Sequence, residues 1–134
     1  MKKIIIAALI LIAATAWSKP VDQEKAARVA QNFWQSSALG EWQGMADVTT
    51  LVGIDEIFVF ANPQGGFVIV SADDCALPIL GYSASSVFAI PVPENVLDWL
   101  NGYAWEIRQL QQHAVEPSPR VIAEWKMYFS NEVS

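Results

Sequence analysis

Hydrophobic residues recur every three to four positions in two segments of the chain, and this spacing predicts two amphipathic helices. The first helix is predicted over residues 21–39, with Asp22 as its N-cap. The second is predicted to begin with Asn95 as its N-cap and to continue to about Gln112. A last, short helix is predicted over residues 121–129.

Between these helices, runs of β-branched and aromatic residues predict strands. Residues 54–61 and 67–71 flank a Pro/Gly-rich turn at residues 62–66, which predicts a β-hairpin. The second strand of this hairpin has no polar alternation at residues 67–70. We therefore expect it to be covered on both faces or to be central in the sheet.

Three further segments complete the prediction for the middle of the chain. Residues 79–83 predict a strand that follows Pro78, where no ladder donor is required. Residues 48–52 are β-formers and predict a short strand. Residues 83–93 contain small residues and prolines, which predict an exposed loop with restricted backbone freedom. The order of elements indicates an α+β fold, in which a sheet of about four strands packs against two main helices.

Composition narrows the classes of protein that remain. The chain has 134 residues, of which 53% are hydrophobic and 16% charged, and this argues against a disordered chain. Its net charge of -6 argues against nonspecific nucleic-acid binding. The single cysteine excludes an intrachain disulfide framework and a Cys-based zinc site, and its thiol either stays reduced or bonds to another chain. With one histidine as well, we expect no cofactor, no metal and no enzymatic activity.

The N-terminal segment has the pattern of an export signal. A short basic start precedes an apolar run at residues 4–14, and the small residues Ala16 and Ser18 stand where a signal peptidase inspects the chain. We expect a signal peptide at residues 1–18, a domain at residues 19–134, and a periplasmic or secreted location. The apolar run is shorter than the roughly 18 residues that span a bilayer, so no stable membrane insertion is expected after cleavage. An uncleaved membrane anchor is the alternative.

The candidates for chemistry are few. Cys75 and His113 form the pair that could indicate nucleophilic catalysis. The two aspartates before Cys75 disfavour a reactive thiolate, and His113 lies at the end of a predicted helix without an evident orienting partner. The acidic pairs at residues 73–74 and 55–56 lack the ligand spacing of a calcium loop, so we assign them loop and solubility roles.

Tryptophan is frequent, with five in residues 19–134. Trp34 lies on the predicted core stripe of the first helix and Trp99 at the edge of the second stripe, so packing explains both. The hydrophobic pattern does not place the other three on a predicted core stripe: Trp42, Trp105 and Trp125. They either cover the sheet or belong to an interface, where exposed tryptophan is enriched.

Two strand motifs and a helix start occur in a fixed order along the chain. Residues 65–73 read G-G-F-V-I-V-S-A-D, and residues 78–83 read P-I-L-G-Y-S. A Glu-Asn-hydrophobic step at residues 94–96 then opens a helix that contains the aromatic Tyr103. In this order and spacing, over about residues 22–112, the chain resembles the propeptide of streptopain-type cysteine peptidases.

This resemblance implies an α+β fold with a twisted antiparallel sheet packed on helices. In the family, the segment around the Glu-Asn step reaches the catalytic cleft and disturbs the catalytic histidine. The resemblance thus implies that Asn95 and its flanks block a peptidase site, while the sheet supplies the larger docking surface. The protease-binding segment carried over in this way is Val92, Pro93, Glu94, Asn95 and Val96.

The same resemblance implies a function and a partner. A zymogen of this type continues into a catalytic domain, whereas this sequence ends at Ser134, and Cys75 lies inside the propeptide-like part. We therefore expect a free-standing, exported inhibitor whose partner is a streptopain-type cysteine peptidase. Three alternatives stay open: a binding module whose tryptophans contact sugar or protein, a helper that assists folding of a partner peptidase, and the propeptide of a truncated zymogen.

Overall fold

A computed structural model describes residues 19–130, so the signal peptide predicted at residues 1–18 lies outside the described residues. The described part contains four helices and four strands, and the predicted α+β class is confirmed. In chain order the elements are α1 (Gln23–Ser36), β1 (Ala46–Asp47), α2 (Thr49–Val52), β2 (Ile57–Ala61), β3 (Phe67–Ser71), β4 (Ile79–Ser83), α3 (Glu94–Gln112) and α4 (Pro119–Ser130).

The strands form one antiparallel sheet in the order β1-β2-β3-β4. β2 and β3 form the predicted hairpin, with Ile57 opposite Ser71 and Ala61 opposite Phe67. β3 pairs with a strand on each side, whereas β4 pairs only with β3 among the described strands and is an edge of the sheet. The sequence order of the strands is therefore also their order in space.

A β-bulge interrupts the pairing of β3 with β4. Ile69 lies opposite Gly81 and Val70 lies opposite Ile79, so that Leu80 is an extra residue in β4. At the bulge, the side chain of Ile79 packs with the helices α1 and α4, while that of Leu80 packs with α3 on the other face of the sheet. Regular pairing resumes at Gly81.

Helices cover both faces of the sheet and divide the core into two clusters. On one face, α3 packs Leu100, Ala104 and Ile107 against the sheet. On the other face, α1 and α4 pack against it. β3 contributes to both clusters, as predicted for a strand without polar alternation, and its three central residues have no solvent-accessible surface: Val68, Ile69 and Val70.

The first helix, α1, begins at the predicted N-cap. The carboxylate of Asp22 accepts the N–H of Lys25 at 2.8 Å, which confirms Asp22 as the N-cap. The third helix differs, because α3 begins at Glu94 and its N-cap is Pro93, which makes no side-chain cap bond. The prediction that Asn95 is the N-cap is therefore wrong. Pro93 has an extended backbone (φ -59°, ψ 150°) that suits the N-cap, so the helix starts before Asn95.

The strand predicted over residues 48–52 is also wrong, since this stretch contains the short helix α2. The carboxylate of Asp47 accepts the N–H of Thr49 at 2.9 Å, and the Thr49 hydroxyl accepts the N–H of Val59 at 2.9 Å. Such side-chain bonds to the backbone compete with a strand ladder. Gly53, with φ 77°, then ends the turn in the left-handed conformation that glycine tolerates.

The last helix, α4, is 12 residues long and is tied to two other elements. Its Tyr128 carbonyl accepts the side-chain amide of Asn32 on α1 at 2.5 Å. The indole N–H of Trp125 donates to the carbonyl of Ala76, in the loop between β3 and β4, at 2.7 Å. These bonds fix α4 across the same face of the sheet as α1.

Stability should depend strongly on the centre of β3. Replacing Ile69 by Ala removes three buried carbons and leaves a cavity, so we expect the free energy of unfolding to fall by about 2–5 kcal/mol. Ile69→Val is the matched control and should cost about 0.5–1.5 kcal/mol. Urea denaturation followed by tryptophan fluorescence measures both. Equal losses for the two variants would contradict a tightly packed centre.

Candidate functional site

The five residues of the predicted protease-binding segment straddle the start of α3, and we refer to them as the 92–96 segment. Val92 and Val96 are half-buried and pack against the core cluster that α3 covers. Pro93, Glu94 and Asn95, between these two valines, are exposed. The structure thus brings all five residues together as a short exposed turn that is held to the core at both ends.

The backbone of the 92–96 segment is fixed by the first turn of the helix. The carbonyl of Pro93 accepts the N–H of Val96 at 3.1 Å and that of Leu97 at 2.9 Å. The carboxylate of Glu94 lies in the first turn, where it complements the positive end of the helix dipole. Because Asn95 does not cap the helix, its exposed amide offers a donor and an acceptor to solvent or to a partner.

The loop that leads into the 92–96 segment is also anchored. Phe88 is buried and its ring lies edge-on to that of Phe67, with the centroids 5.5 Å apart. Val87 and Ile90 are exposed on either side of it, and the Ile90–Pro91 peptide bond is cis. An apolar groove of about 380 Å³ lies between this loop and the β2–β3 turn. The loop is exposed as predicted, with Phe88 as its buried anchor.

The structure separates the tryptophans into core and surface residues. Trp125 is buried, and Trp42 is half-buried against Trp34, with ring centroids 6.2 Å apart. Both belong to the cluster that α1 and α4 cover, so they have core roles. Trp105 is 57% exposed on the outer side of α3, and Trp99 is 42% exposed. The surface tryptophans therefore lie on α3, the helix that begins with the 92–96 segment.

Cys75 and His113 do not form a catalytic arrangement. Cys75 is only 4% exposed and belongs to the core cluster that α3 covers. His113 is exposed at the end of α3, where its Nε2 lies 3.3 Å from the side-chain oxygen of Gln109. The burial of Cys75 also disfavours a disulfide to another chain, because the residue has little exposed surface.

The acidic pair at residues 73–74 has the loop role that the sequence predicts. The carboxylate of Asp73 accepts the N–H of Cys75 and the side-chain amide of Gln111, both at 2.9 Å. The carboxylate of Asp74 accepts the N–H of Lys19 at 2.9 Å. These bonds tie the β3–β4 loop to α3 and to the start of the described chain.

Helices leave little of the sheet faces open, and the expectation that the sheet supplies the larger docking surface stays a prediction. One face lies under α3 and the other under α1 with α4. Most of the surface that the sheet offers is therefore an edge. At the β4 edge the ring of Trp99 packs against Gly81, a contact that the helix and strand patterns do not predict. An isolated glycine in a strand is a signal of close approach and would have pointed to this contact.

None of the helices within residues 19–130 has the length and hydropathy needed to cross a membrane. In that part of the chain, no group of three or more His, Cys, Asp or Glu side chains is placed to hold a metal ion.

Comparisons with known proteins agree with the strand motifs and the helix start. The family model described as Spi protease inhibitor matches residues 18–107, which include the 92–96 segment. The chain is 31% identical over 108 residues to the thiol protease/hemagglutinin PrtT of Porphyromonas gingivalis, an alignment that covers 73% of this chain and 12% of that protein. The chain thus spans only a small part of the length of this relative. No solved structure is significantly similar. Because the family model matches more than half of the length of this chain, the chain belongs to the Spi protease inhibitor family.

Proposed function

We propose that this protein is an exported inhibitor of a streptopain-type cysteine peptidase and that its 92–96 segment occupies the active-site cleft of that enzyme. It acts by binding and catalyses no reaction of its own. The observation that carries the proposal is the exposed turn from Pro93 to Asn95, held to the core by Val92 and Val96. The relative named as a thiol protease supports the class of the target.

The physical properties of the turn suit occupancy of a cleft. A segment that is already ordered loses little conformational entropy on binding, so more of its contact energy contributes to affinity. Pro93 adds to this preorganisation because its ring fixes φ. The Asn95 amide can both donate and accept a hydrogen bond in a polar catalytic site. Because Glu94 and Asn95 are already in a helix, their peptide bonds are not presented in the extended form that a peptidase cleaves.

One observation favours a second candidate function. Trp105 is exposed on α3, and an exposed tryptophan is typical of a binding surface. A binding module without a peptidase target would use this residue and would not need Asn95. Inhibition assays with variants of both residues therefore separate the two functions.

Replacing Asn95 by Ala should weaken inhibition without affecting the fold. The side chain is exposed, so the free energy of unfolding should change by less than about 0.5 kcal/mol. We expect the inhibition constant against the cognate peptidase to rise about tenfold, which corresponds to about 1.4 kcal/mol. The measurement is steady-state hydrolysis of a fluorogenic peptide by purified streptopain-type peptidases, titrated with each variant.

Asn101→Ala is the matched control, because Asn101 is an exposed asparagine on the same helix outside the 92–96 segment. It should inhibit as the wild-type protein does. Equal inhibition by both variants would remove Asn95 from the mechanism. If the wild-type protein slows none of the streptopain-type peptidases, the proposed function itself is wrong.

Refolding experiments separate inhibition from assistance with folding. An inhibitor that acts by occupancy should slow hydrolysis by a peptidase that is already folded, and it should leave the refolding yield of the denatured enzyme unchanged. The yield is measured as activity after dilution from urea and dissociation of the inhibitor. A yield that rises severalfold with the wild-type protein, without inhibition of the folded enzyme, would favour the folding helper.

Cleavage after Ser18, which export through a signal peptide requires, would change the contact between Lys19 and Asp74. Cleavage after Ser18 would convert the N–H of Lys19 into an α-ammonium group beside the carboxylate that it contacts at 2.9 Å. In a chain that begins at Lys19, Asp74→Asn should lower the free energy of unfolding by up to about 1 kcal/mol at pH 7. The loss should shrink as the pH rises through the pKa of this α-amino group, because the neutral amine keeps a hydrogen-bond donor but no longer carries the charge that the carboxylate attracts.

The control is Asp74→Asn in a chain with two extra residues before Lys19. The backbone nitrogen of Lys19 is then an amide and not an ammonium group, so the substitution should cost less stability than it does in the chain that begins at Lys19. Mass spectrometry of the protein from a secreting host should find Lys19 as the first residue. Retention of residues 1–18 would contradict cleavage at this position.

A further inference from the structure

The backbone of β4 presents an open edge within the described part of the chain. The N–H of Ser71 donates to the carbonyl of Pro78, so the odd-numbered residues of β3 face β4. Hydrogen-bonded and non-hydrogen-bonded pairs alternate in an antiparallel ladder, so Val68 directs its backbone groups toward β2. Tyr82 is opposite Val68. The N–H and C=O of Tyr82 therefore point away from the sheet.

A groove of about 420 Å³ follows this open edge. On one side of the sheet its wall is aromatic, with the ring of Phe33 edge-on to those of Tyr82 and Tyr128 at centroid distances of 5.0 and 5.5 Å. On the other side its wall is Trp99, which lies so close to Gly81 that a Cβ there would be 3.0 Å from the indole ring. The floor of the groove is thus strand backbone between two aromatic walls.

An extended polypeptide is the ligand that matches this floor. It offers a donor and an acceptor at the spacing of a strand, and it would lie about 4.8 Å from β4. Open edges are commonly blocked by proline, lysine or other charged residues. The regular stretch of β4, Gly81-Tyr82-Ser83, contains none of these, and Tyr82 is 52% exposed.

The groove is continuous with the 92–96 segment. Trp99 follows Asn95 by four residues on α3, so both side chains lie on the same side of the helix, about 6 Å apart along its axis. A partner that covers Asn95 therefore reaches the wall of the groove. This continuity assigns one partner to both surfaces.

Charge disfavours a second copy of this chain as the occupant. The chain has a net charge of -6, and the carboxylate of Glu124 lines the groove. Burial, and to a lesser extent this carboxylate, raises the pKa of Tyr128, so its hydroxyl stays neutral. Glu124 pairs with Arg120 at 2.8 Å, so this carboxylate adds little net charge to the groove wall. The net negative charge of the whole chain is what disfavours a second copy, because two acidic copies repel each other.

We propose that an extended segment of the partner peptidase, with apolar residues that face the aromatic walls of the groove, adds to β4 as a fifth strand of the sheet. The proposal rests on the proposed function, because the peptidase is the partner that the 92–96 segment engages. The cleft contact then blocks the enzyme, and the strand contact supplies affinity and orientation.

The decisive test compares Tyr82→Pro with Tyr82→Ala. Both variants lose the tyrosine ring, but only proline removes the outward N–H that the added strand needs. No hydrogen bond to β3 is lost, because this N–H points away from the sheet. The inhibition constant of Tyr82→Pro should exceed that of Tyr82→Ala by about tenfold. Thermal unfolding of both variants checks that the fold is retained.

A measurement on the wild-type protein tests strand addition even if Tyr82→Pro does not fold. Amide hydrogen exchange is measured with and without the inhibited peptidase. Binding should slow exchange at Tyr82, while Gly81 and Ser83, already bonded to β3, should change less. Unchanged exchange at Tyr82 in the complex would overturn strand addition.

The remaining outcomes are distinct from one another. Equal inhibition by Tyr82→Pro and Tyr82→Ala would overturn strand addition and leave the proposed function standing. An absence of inhibition by the wild-type protein would overturn both. A dimer of the protein alone in sedimentation, lost in Tyr82→Pro and kept in Tyr82→Ala, would assign the edge to a second copy and overturn the peptidase as its occupant.

Discussion

The burial of β3 from both sides is the constraint on which the rest of the structure depends. Val68 and Val70 belong to the cluster under α1 and α4, and Ile69 belongs to the cluster under α3. Burial of apolar surface on both faces contributes most of the stability that a chain of this size can obtain. It also leaves little of the sheet faces open to a partner. A partner is left mainly with strand edges, helix surfaces and loops.

The sequence predicts well the elements whose hydrophobic pattern is strong. The hairpin and β4 were predicted within a few residues, because β-branched runs and a Pro/Gly turn specify strands without help from distant residues. The stretch at residues 48–52 has the same β-branched residues but forms a helical turn. Its conformation depends on the bond between Thr49 and Val59, and a contact ten residues apart is not visible in local propensity.

The position of the candidate site is a prediction from the resemblance, and its geometry comes from the structure. The resemblance located the 92–96 segment, and the half-burial of Val92 and Val96 follows from helical spacing and from the apolar loop before it. The cap at Pro93 was missed because asparagine is a strong N-cap residue and proline leaves no side-chain signal. The edge groove as a whole could not be predicted, since it joins residues of α1, β4, α3 and α4 that only the fold brings together.

The bulge at Leu80 limits what can be built on the edge of the sheet. It shortens the regular part of β4 to three residues and changes the direction in which successive side chains point. A ladder this short is too weak to hold two chains unless other contacts support it. Runaway self-assembly through stacked edges, the usual hazard of an uncovered strand, is therefore disfavoured at β4.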